Sequence, residues 1–273
     1  MIKALAMCAA TSLIWSFSNM SFANHHASAT SSEICTGFGP QTPRDIDNLE
    51  GSNPRAFSLA PPASELNLCN IHFHKNAEHK AKDFSIKAID KHSKSAEGYQ
   101  CAISKDLSKA ELKQPSGDVC NGLKSGDTIE VHWVHTSCDV KPGPGLGSCL
   151  SDKCANPDLR VETQVFTLVN DKNALDFAKL DYSGAANSNG LHQALAIPSN
   201  TGAPVQFTGS TTGPSFNEKK CSPLQVSWSV RPQCTKLDIN SVAKWCKNNV
   251  FNEDHAHGVR GLVTDPRLLS EIE

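Results

Sequence analysis

The sequence predicts a mostly β protein folded as a single domain, with short helices and long disulfide-stapled loops. Three observations carry that prediction. Short runs that alternate polar and apolar residues recur along the chain, separated by clusters of Gly, Pro, Ser and Asn. One segment, 240–249, has helical periodicity, with Asn240 as its expected cap and Val242, Trp245 and Cys246 on one face. Ten of the 11 cysteines follow residue 34, an even count that reads as a disulfide framework.

The first 23 residues stand apart from the rest. Lys3 precedes an apolar stretch from 4 to 17, and Ser21-Phe22-Ala23 offers a small-x-small cleavage site, so residues 1–23 read as an export signal. Met7 stands before Cys8 where a lipoprotein signal places a small residue, so no lipid anchor is expected. Residues 24–34 are small and polar, a flexible tail in which His25 and His26 are expected to be solvated. The remaining segment, 35–273, is expected to be one catalytic domain. No later segment reaches the roughly 20 apolar residues of a membrane span. With a formal net charge of -2 and a pI near 6.6, the chain has no electrostatic signature for nucleic acid. The expected location is therefore the periplasm or the extracellular space, where disulfides persist. No Cys-x-x-Cys pair is present, so a thiolate metal site is not expected. Cys149 with Cys154, and Cys234 with Cys246, are close enough in sequence to suggest local bridges.

Loop chemistry dominates residues 35–65, and a strand follows at about 66–74. Residues 81–114 are charged and lysine-rich, with strand propensity near 84–86. A turn at 122–127 launches a strand at about 128–136. Pro142-Gly143-Pro144-Gly145, with cysteines nearby, marks a stapled loop, and 161–169 alternates as a strand. Residues 183–204 are rich in Ser, Asn, Gly and Ala and read as loop. Short strands at 205–207 and 224–230 flank the turn at 209–214. Asp254-His255-Ala256-His257-Gly258 lacks strand propensity and reads as a surface loop.

The chemistry is concentrated on two strands. In Cys69-Asn70-Ile71-His72-Phe73-His74, period two puts Asn70, His72 and His74 on one face. In Glu130-Val131-His132-Trp133-Val134-His135 it does the same for Glu130, His132 and Val134. Laid side by side, the strands bring His72, His74 and His132 to one spot, with Asn70 and Glu130 behind the rings. Three nitrogens and one open position suit a catalytic zinc, and amide or carboxylate partners orient the ligating rings.

Five motifs in order along residues 35–231 resemble the α-class carbonic anhydrases, and the short, cysteine-rich form is most similar to the δ class. They are Cys35-x-Gly37 with Gln41-Thr42-Pro43, the Asn70–His74 run, Ala77-Glu78-His79, the Glu130–His135 run, and Gly209-Ser210-Thr211-Thr212-Gly213-Pro214 followed by Val226-Ser227-Trp228. The resemblance implies a central β-sheet like that of the α class and reversible hydration of CO2 to bicarbonate and a proton at Zn2+, a zinc lyase reaction. It implies zinc ligation by His72, His74 and His132, with Asn70 and Glu130 as supporting residues. It gives Thr211 the role of accepting a hydrogen bond from the zinc-bound nucleophile while donating its own proton to Glu78. Val134, Val226 and Trp228 become the apolar wall for CO2. It also implies a Cys35–Cys221 bridge. The leucine that the family pattern carries between Ser210 and Thr211 is missing here, which leaves Thr212 as the alternative holder of the Thr211 role. No counterpart of the family's mobile shuttle histidine is present, and His79, His92, His135 and His192 stand open as proton relays.

Two other readings fit part of the pattern. His72-x-His74-x-x-x-Glu78 with His132 also matches a cupin metal site, in which Glu78 is a ligand and the metal is iron, manganese or copper. An exported metal-binding protein would use the same histidines as an open site. The cupin reading leaves Gln41-Thr42-Pro43 and the threonine turn unexplained.

Overall fold

Two histidine-bearing strands, β1 (Asn67–Lys75) and β4 (Thr128–Thr136), lie antiparallel at one side of the main sheet. The computed structural model describes residues 34–89, 96–213 and 215–273. The expected export signal, the tail up to residue 33, His92 and Pro214 lie outside the described residues. Between β1 and β4 in sequence come β2 (Ile86–Ile89) and β3 (Ala96–Gln100), a separate antiparallel pair. Next is β5 (Leu159–Val169), followed by β6 (Tyr182–Ala186) and β7 (His192–Ala194), which form a second small hairpin. Then come β8 (Val205–Ser210), β9 (Gln225–Val230), β10 (Thr235–Asp238) and the single α-helix among the described residues, α1 (Ile239–Lys247).

The main sheet runs β1-β4-β5-β9-β8, with β10 pairing β5 beyond that path. It is mixed. The β1–β4, β4–β5 and β8–β9 pairs are antiparallel, whereas β9 and β10 both run parallel to β5. Register decides the faces. Ile71 opposes Trp133 and Phe73 opposes Val131, so these large side chains share one face. There they pack with Phe166, Leu168 and Phe177 against Val242 and Trp245 of α1. Trp133 is fully buried yet satisfied, because its indole N–H donates to the Leu180 carbonyl at 2.9 Å. The opposite face carries His72, His132, Val134, Val161 and Trp228, brought together because His72 opposes His132 and Val161 opposes Trp228.

At the far end, β8 approaches β9 through Gly209. A methyl group there would sit 3.0 Å from both Trp228 Cδ1 and Thr42 Cβ, so any larger residue would press on both side chains just before the threonine turn.

Five disulfides join all ten cysteines of the described region: Cys35–Cys221, Cys69–Cys149, Cys101–Cys234, Cys120–Cys246 and Cys138–Cys154. The first is the bridge that the family resemblance implies. The local pairs expected from sequence spacing are corrected. Cys149 reaches back to Cys69 on β1, and Cys246 on α1 meets Cys120. Four of the five bridges close loops of 80 or more residues, where cross-linking restricts the unfolded chain most. Such a framework belongs to an oxidising, exported environment. No helix among the described residues is long and apolar enough to cross a membrane.

Two further expectations are corrected. The 183–204 stretch, read as loop from its small residues, contains the β6–β7 hairpin, with Asn67 Oδ1 of β1 accepting the His192 N–H at 2.9 Å. Asp238 rather than Asn240 caps α1, its carboxylate accepting the Asn240 N–H at 3.1 Å.

Candidate metal centre

His72, His74 and His132 offer ring nitrogens that all lie within 4.8 Å of one another. Their ring centroids are 4.9–5.2 Å apart. Hydrogen bonding fixes which nitrogen each ring presents. His72 Nδ1 lies 2.6 Å from Asn70 Oδ1, and the Asn70 amide is oriented because its Nδ2 donates to the Gly143 carbonyl at 3.1 Å. His74 Nδ1 lies 2.9 Å from the Gly258 carbonyl, and His132 Nε2 lies 2.7 Å from Glu130 Oε1. All three partners are acceptors, so those nitrogens carry the protons. The bare lone pairs therefore belong to His72 Nε2, His74 Nε2 and His132 Nδ1.

The bare nitrogens have no other use. His74 Nε2 is buried without a hydrogen-bond partner. His132 Nδ1 and His72 Nε2 face each other at 3.2 Å, two lone pairs with no proton between them. A cation between the rings turns that repulsion into coordination. Burial, followed by the neighbouring His132, His74 and His257, holds His72 well below the ordinary histidine pKa. Burial also lowers His132, outweighing the raising effect of the Glu130 carboxylate. Both imidazoles therefore stay neutral, the state in which histidine ligates metal.

Glu130 is the hub behind the centre. Its Oε1 accepts from His132 and from His79 Nδ1 at 2.8 Å, and its Oε2 accepts the N–H groups of Glu78 and His79 at 2.9 and 3.1 Å. Burial alone would raise its pKa, but His79 and His132 hold the carboxylate well below the usual range. His79 is fully buried, with Nε2 2.9 Å from Thr42 Oγ1. That tie places Thr42 of the Gln41-Thr42-Pro43 motif at the end of the same network.

A cavity of about 520 Å³ opens over the rings. Its lining includes His72, His132, Thr211 and Thr212, together with Val134, Val226 and Trp228 of the expected apolar wall. Cys149 and Leu146 of the 142–150 loop add to the apolar side. Asn70, His74, Glu78 and Glu130 are not among its lining residues.

Glu78 and Thr211 depart from the expected pairing. Glu78 Oε1 accepts the Arg260 N–H at 2.8 Å and lies 3.4 Å from His74 Nδ1, while its Oε2 has no hydrogen-bond partner. Thr211 Oγ1 pairs instead with Ser222 Oγ at 3.1 Å. The turn is one residue shorter than the family pattern, and Thr211 is held in it by its N–H to the Leu224 carbonyl at 3.0 Å. Glu78 stands on the protonated side of His74, away from the bare nitrogens, so the cupin arrangement with Glu78 as ligand does not fit.

Among the relay histidines, His79 has both ring nitrogens engaged. His135 is buried, its Nδ1 on the Trp133 carbonyl at 3.0 Å. His192 Nδ1 lies 2.7 Å from the Tyr182 hydroxyl. The 254–258 segment, read as a surface loop, is corrected at its second half. It runs beside β1, with the Lys75 N–H on the His257 carbonyl and the His257 N–H on the Phe73 carbonyl, both at 2.9 Å. This brings the His257 ring within 5.7 Å of His72, centroid to centroid, and makes Gly258 the partner of His74. The His-x-His spacing was the available signal for His257. Nothing in the local sequence marks the Gly258 carbonyl.

A family model described as Delta carbonic anhydrase matches residues 63–241. Comparison with curated proteins returned no match. Among solved structures, a hyperthermostable carbonic anhydrase identified from an active hydrothermal vent chimney is similar at 14% identity and a TM-score of 0.30, covering 85% of this chain and 86% of that one. The alpha-carbonic anhydrase from Thermovibrio ammonificans, in complex with sulfanilamide, is similar at 17% identity and a TM-score of 0.24, covering 81% and 82%. The family match spans well over half of the sequence and takes in both histidine strands and the β8–β9 region, and this chain belongs to the delta carbonic anhydrase family.

Proposed function

We propose that the protein is an exported, zinc-dependent carbonic anhydrase that interconverts CO2 and bicarbonate in the periplasm. The observation that carries this reading is the convergence of three bare imidazole nitrogens, with His72 and His132 lining an apolar-walled cavity. His72, His74 and His132 would hold the zinc ion. As in carbonic anhydrases generally, bound zinc supplies a nucleophile near neutral pH by lowering the pKa of a water molecule.

The chain's own residues supply the rest. Asn70, Glu130 and the Gly258 carbonyl fix the tautomers, so no ring has to shed a proton or rotate before binding metal. Val134, Val226 and Trp228 present an apolar surface to CO2, which has no dipole and gains little from polar contacts. The same surface offers no hydrogen bonds to compete for bicarbonate, which favours its release to solvent. Thr211 or Thr212 supplies the hydroxyl that orients the group attacking carbon. Residues 1–23 would direct export and be removed, leaving the tail and the 35–273 domain.

The test is CO2 hydration followed by stopped flow on the mature protein, before and after removal of metal with a zinc chelator. Loss of hydration on chelation and its return with zinc, but not with iron or manganese, supports the reading. Stable zinc binding without hydration would instead make the protein a metal carrier. Hydrolysis of small activated esters is a second check, since a carrier has no reason to possess it.

A further inference from the structure

We propose that Ser222, rather than Glu78, is the positioning residue that sets the direction of the Thr211 hydroxyl, and that this makes the site tolerant of anions without a proton. The inference rests on the metal-centre reading above and adds a specificity device to it. Thr211 lies on the cavity wall with His72 and His132. Its Oγ1 is 3.1 Å from Ser222 Oγ, and both residues are buried.

Ser222 is held rigidly. Its N–H donates to Gln41 Oε1 at 2.9 Å, its carbonyl accepts from Gln41 Nε2 at 3.1 Å, and its Oγ accepts the Leu224 N–H at 3.4 Å. The preceding residue, Cys221, is bridged to Cys35. Gln41 is itself fixed by Arg260, whose Nη2 donates to its Oε1 at 2.9 Å.

The consequence follows from donor and acceptor capacity. A carboxylate only accepts, so a threonine bound to one must give up its proton and turn a lone pair to the cavity. Such a threonine welcomes ligands that carry a proton and repels those that do not. A serine hydroxyl both donates and accepts. The Leu224 N–H takes one lone pair of Ser222 and leaves its proton and a second lone pair free. Thr211 can therefore donate to Ser222 and face the cavity as an acceptor, or accept from Ser222 and donate into the cavity. The second state meets anions such as azide that bring no proton of their own.

The experiment uses full-length mature protein loaded with cobalt(II), whose visible spectrum reports anion binding without reference to turnover. Dissociation constants for azide and bicarbonate are measured in wild type, Ser222→Ala, Ser222→Thr, Thr211→Ala, Glu78→Gln and the Thr211→Ala/Ser222→Ala double variant. Ser222→Ala removes the hydroxyl that donates to Thr211 and supports its cavity-donating state, and the expected result is an azide-to-bicarbonate affinity ratio lowered about fivefold, the scale of one hydrogen bond. Ser222→Thr restores the wild-type ratio, and Ser222→Ala has no further effect once Thr211 is alanine, which a general packing defect would not reproduce. An unchanged ratio in Ser222→Ala, or an equal change in Glu78→Gln, overturns the proposal. Failure of wild type to give a three-histidine cobalt spectrum overturns the metal reading itself, an outcome distinct from both.

Discussion

Two His-x-His pairs with the same spacing lie within reach of each other, and their contrast shows why only the first joins a candidate metal centre. The ring centroids of His72 and His74 are 5.2 Å apart, and those of His255 and His257 are also 5.2 Å apart. The hydrogen-bonded acceptors behind the first pair are neutral, an amide oxygen and a backbone carbonyl, with the Glu78 carboxylate 3.4 Å from His74 Nδ1. Behind the second stand carboxylates, Asp254 on His255 Nδ1 at 2.6 Å and Glu253 on His257 Nε2 at 2.7 Å. Burial without a charge partner keeps His72 neutral, whereas the Glu253 hydrogen bond raises the pKa of the half-buried His257. Spacing alone does not select a ligand. Depth of burial and the backing groups set these two pairs apart, although a carboxylate, Glu130, also stands behind His132.

The sharpest break of that comparison is to remove one member of each pair. His72→Ala should abolish stoichiometric zinc binding and CO2 hydration together, whereas His255→Ala should leave one zinc per chain. Metal analysis after gel filtration reads both. Equal losses would dissolve the distinction.

A third histidine extends the contrast to stability. His135 is buried, its Nε2 has no partner, and burial outweighs the nearby Glu162 carboxylate and lowers its pKa from 6.5 to about 4. The folded state thus resists a proton that the unfolded chain accepts. Stability should be fully present above about pH 6.5 and fall as pH drops towards about 4, by about 3 kcal/mol from this group alone. Denaturant unfolding of wild type and His135→Gln at pH 7 and pH 4.5 checks it, with a smaller acid loss expected in the variant.

Charge behind a ligand is a different matter when it is shared. Glu130 serves His132 and His79 at once, so Glu130→Gln should keep the fold but weaken zinc affinity about 10- to 100-fold. Competition with a chromophoric chelator measures this, and an unchanged affinity would remove Glu130 from its supporting role. The smallest effect is expected at Glu253. Glu253→Gln should lower the His257 pKa, seen by NMR titration of the ring. The sign follows from the raised value. The pair contributes below the unfolded histidine pKa and is lost as pH rises through the folded one, a contribution of about 0.5 kcal/mol for a partly exposed pair.

The histidine-bearing strands were legible because period two exposes a shared polar face in the sequence itself, and pairing His72 with His132 needed only the antiparallel register. The β6–β7 hairpin was not, because Tyr182–Ala186 and His192–Ala194 are built from small residues whose pairing depends on contact with β1. The local disulfides expected at Cys149–Cys154 and Cys234–Cys246 do not form for a related reason: closeness in sequence does not place cysteines together, and Cys69 on β1 is the partner of Cys149 while Cys246 on α1 pairs with Cys120. Cys35–Cys221 was accessible through the family motifs alone. The place of His257 and Gly258 beside β1 was not legible, because a segment lying along a strand edge gains its structure from that edge rather than from its own propensity. The Thr211–Ser222 contact was hidden by the shortened turn, which no spacing rule places in space.

The most direct test of the account is the metal content of the mature protein in wild type and His132→Ala, measured with CO2 hydration on the same samples. The account predicts about one zinc per chain with hydration in wild type, and neither in the variant. Iron or manganese released by Glu78→Gln, or zinc retained in His132→Ala, would contradict it.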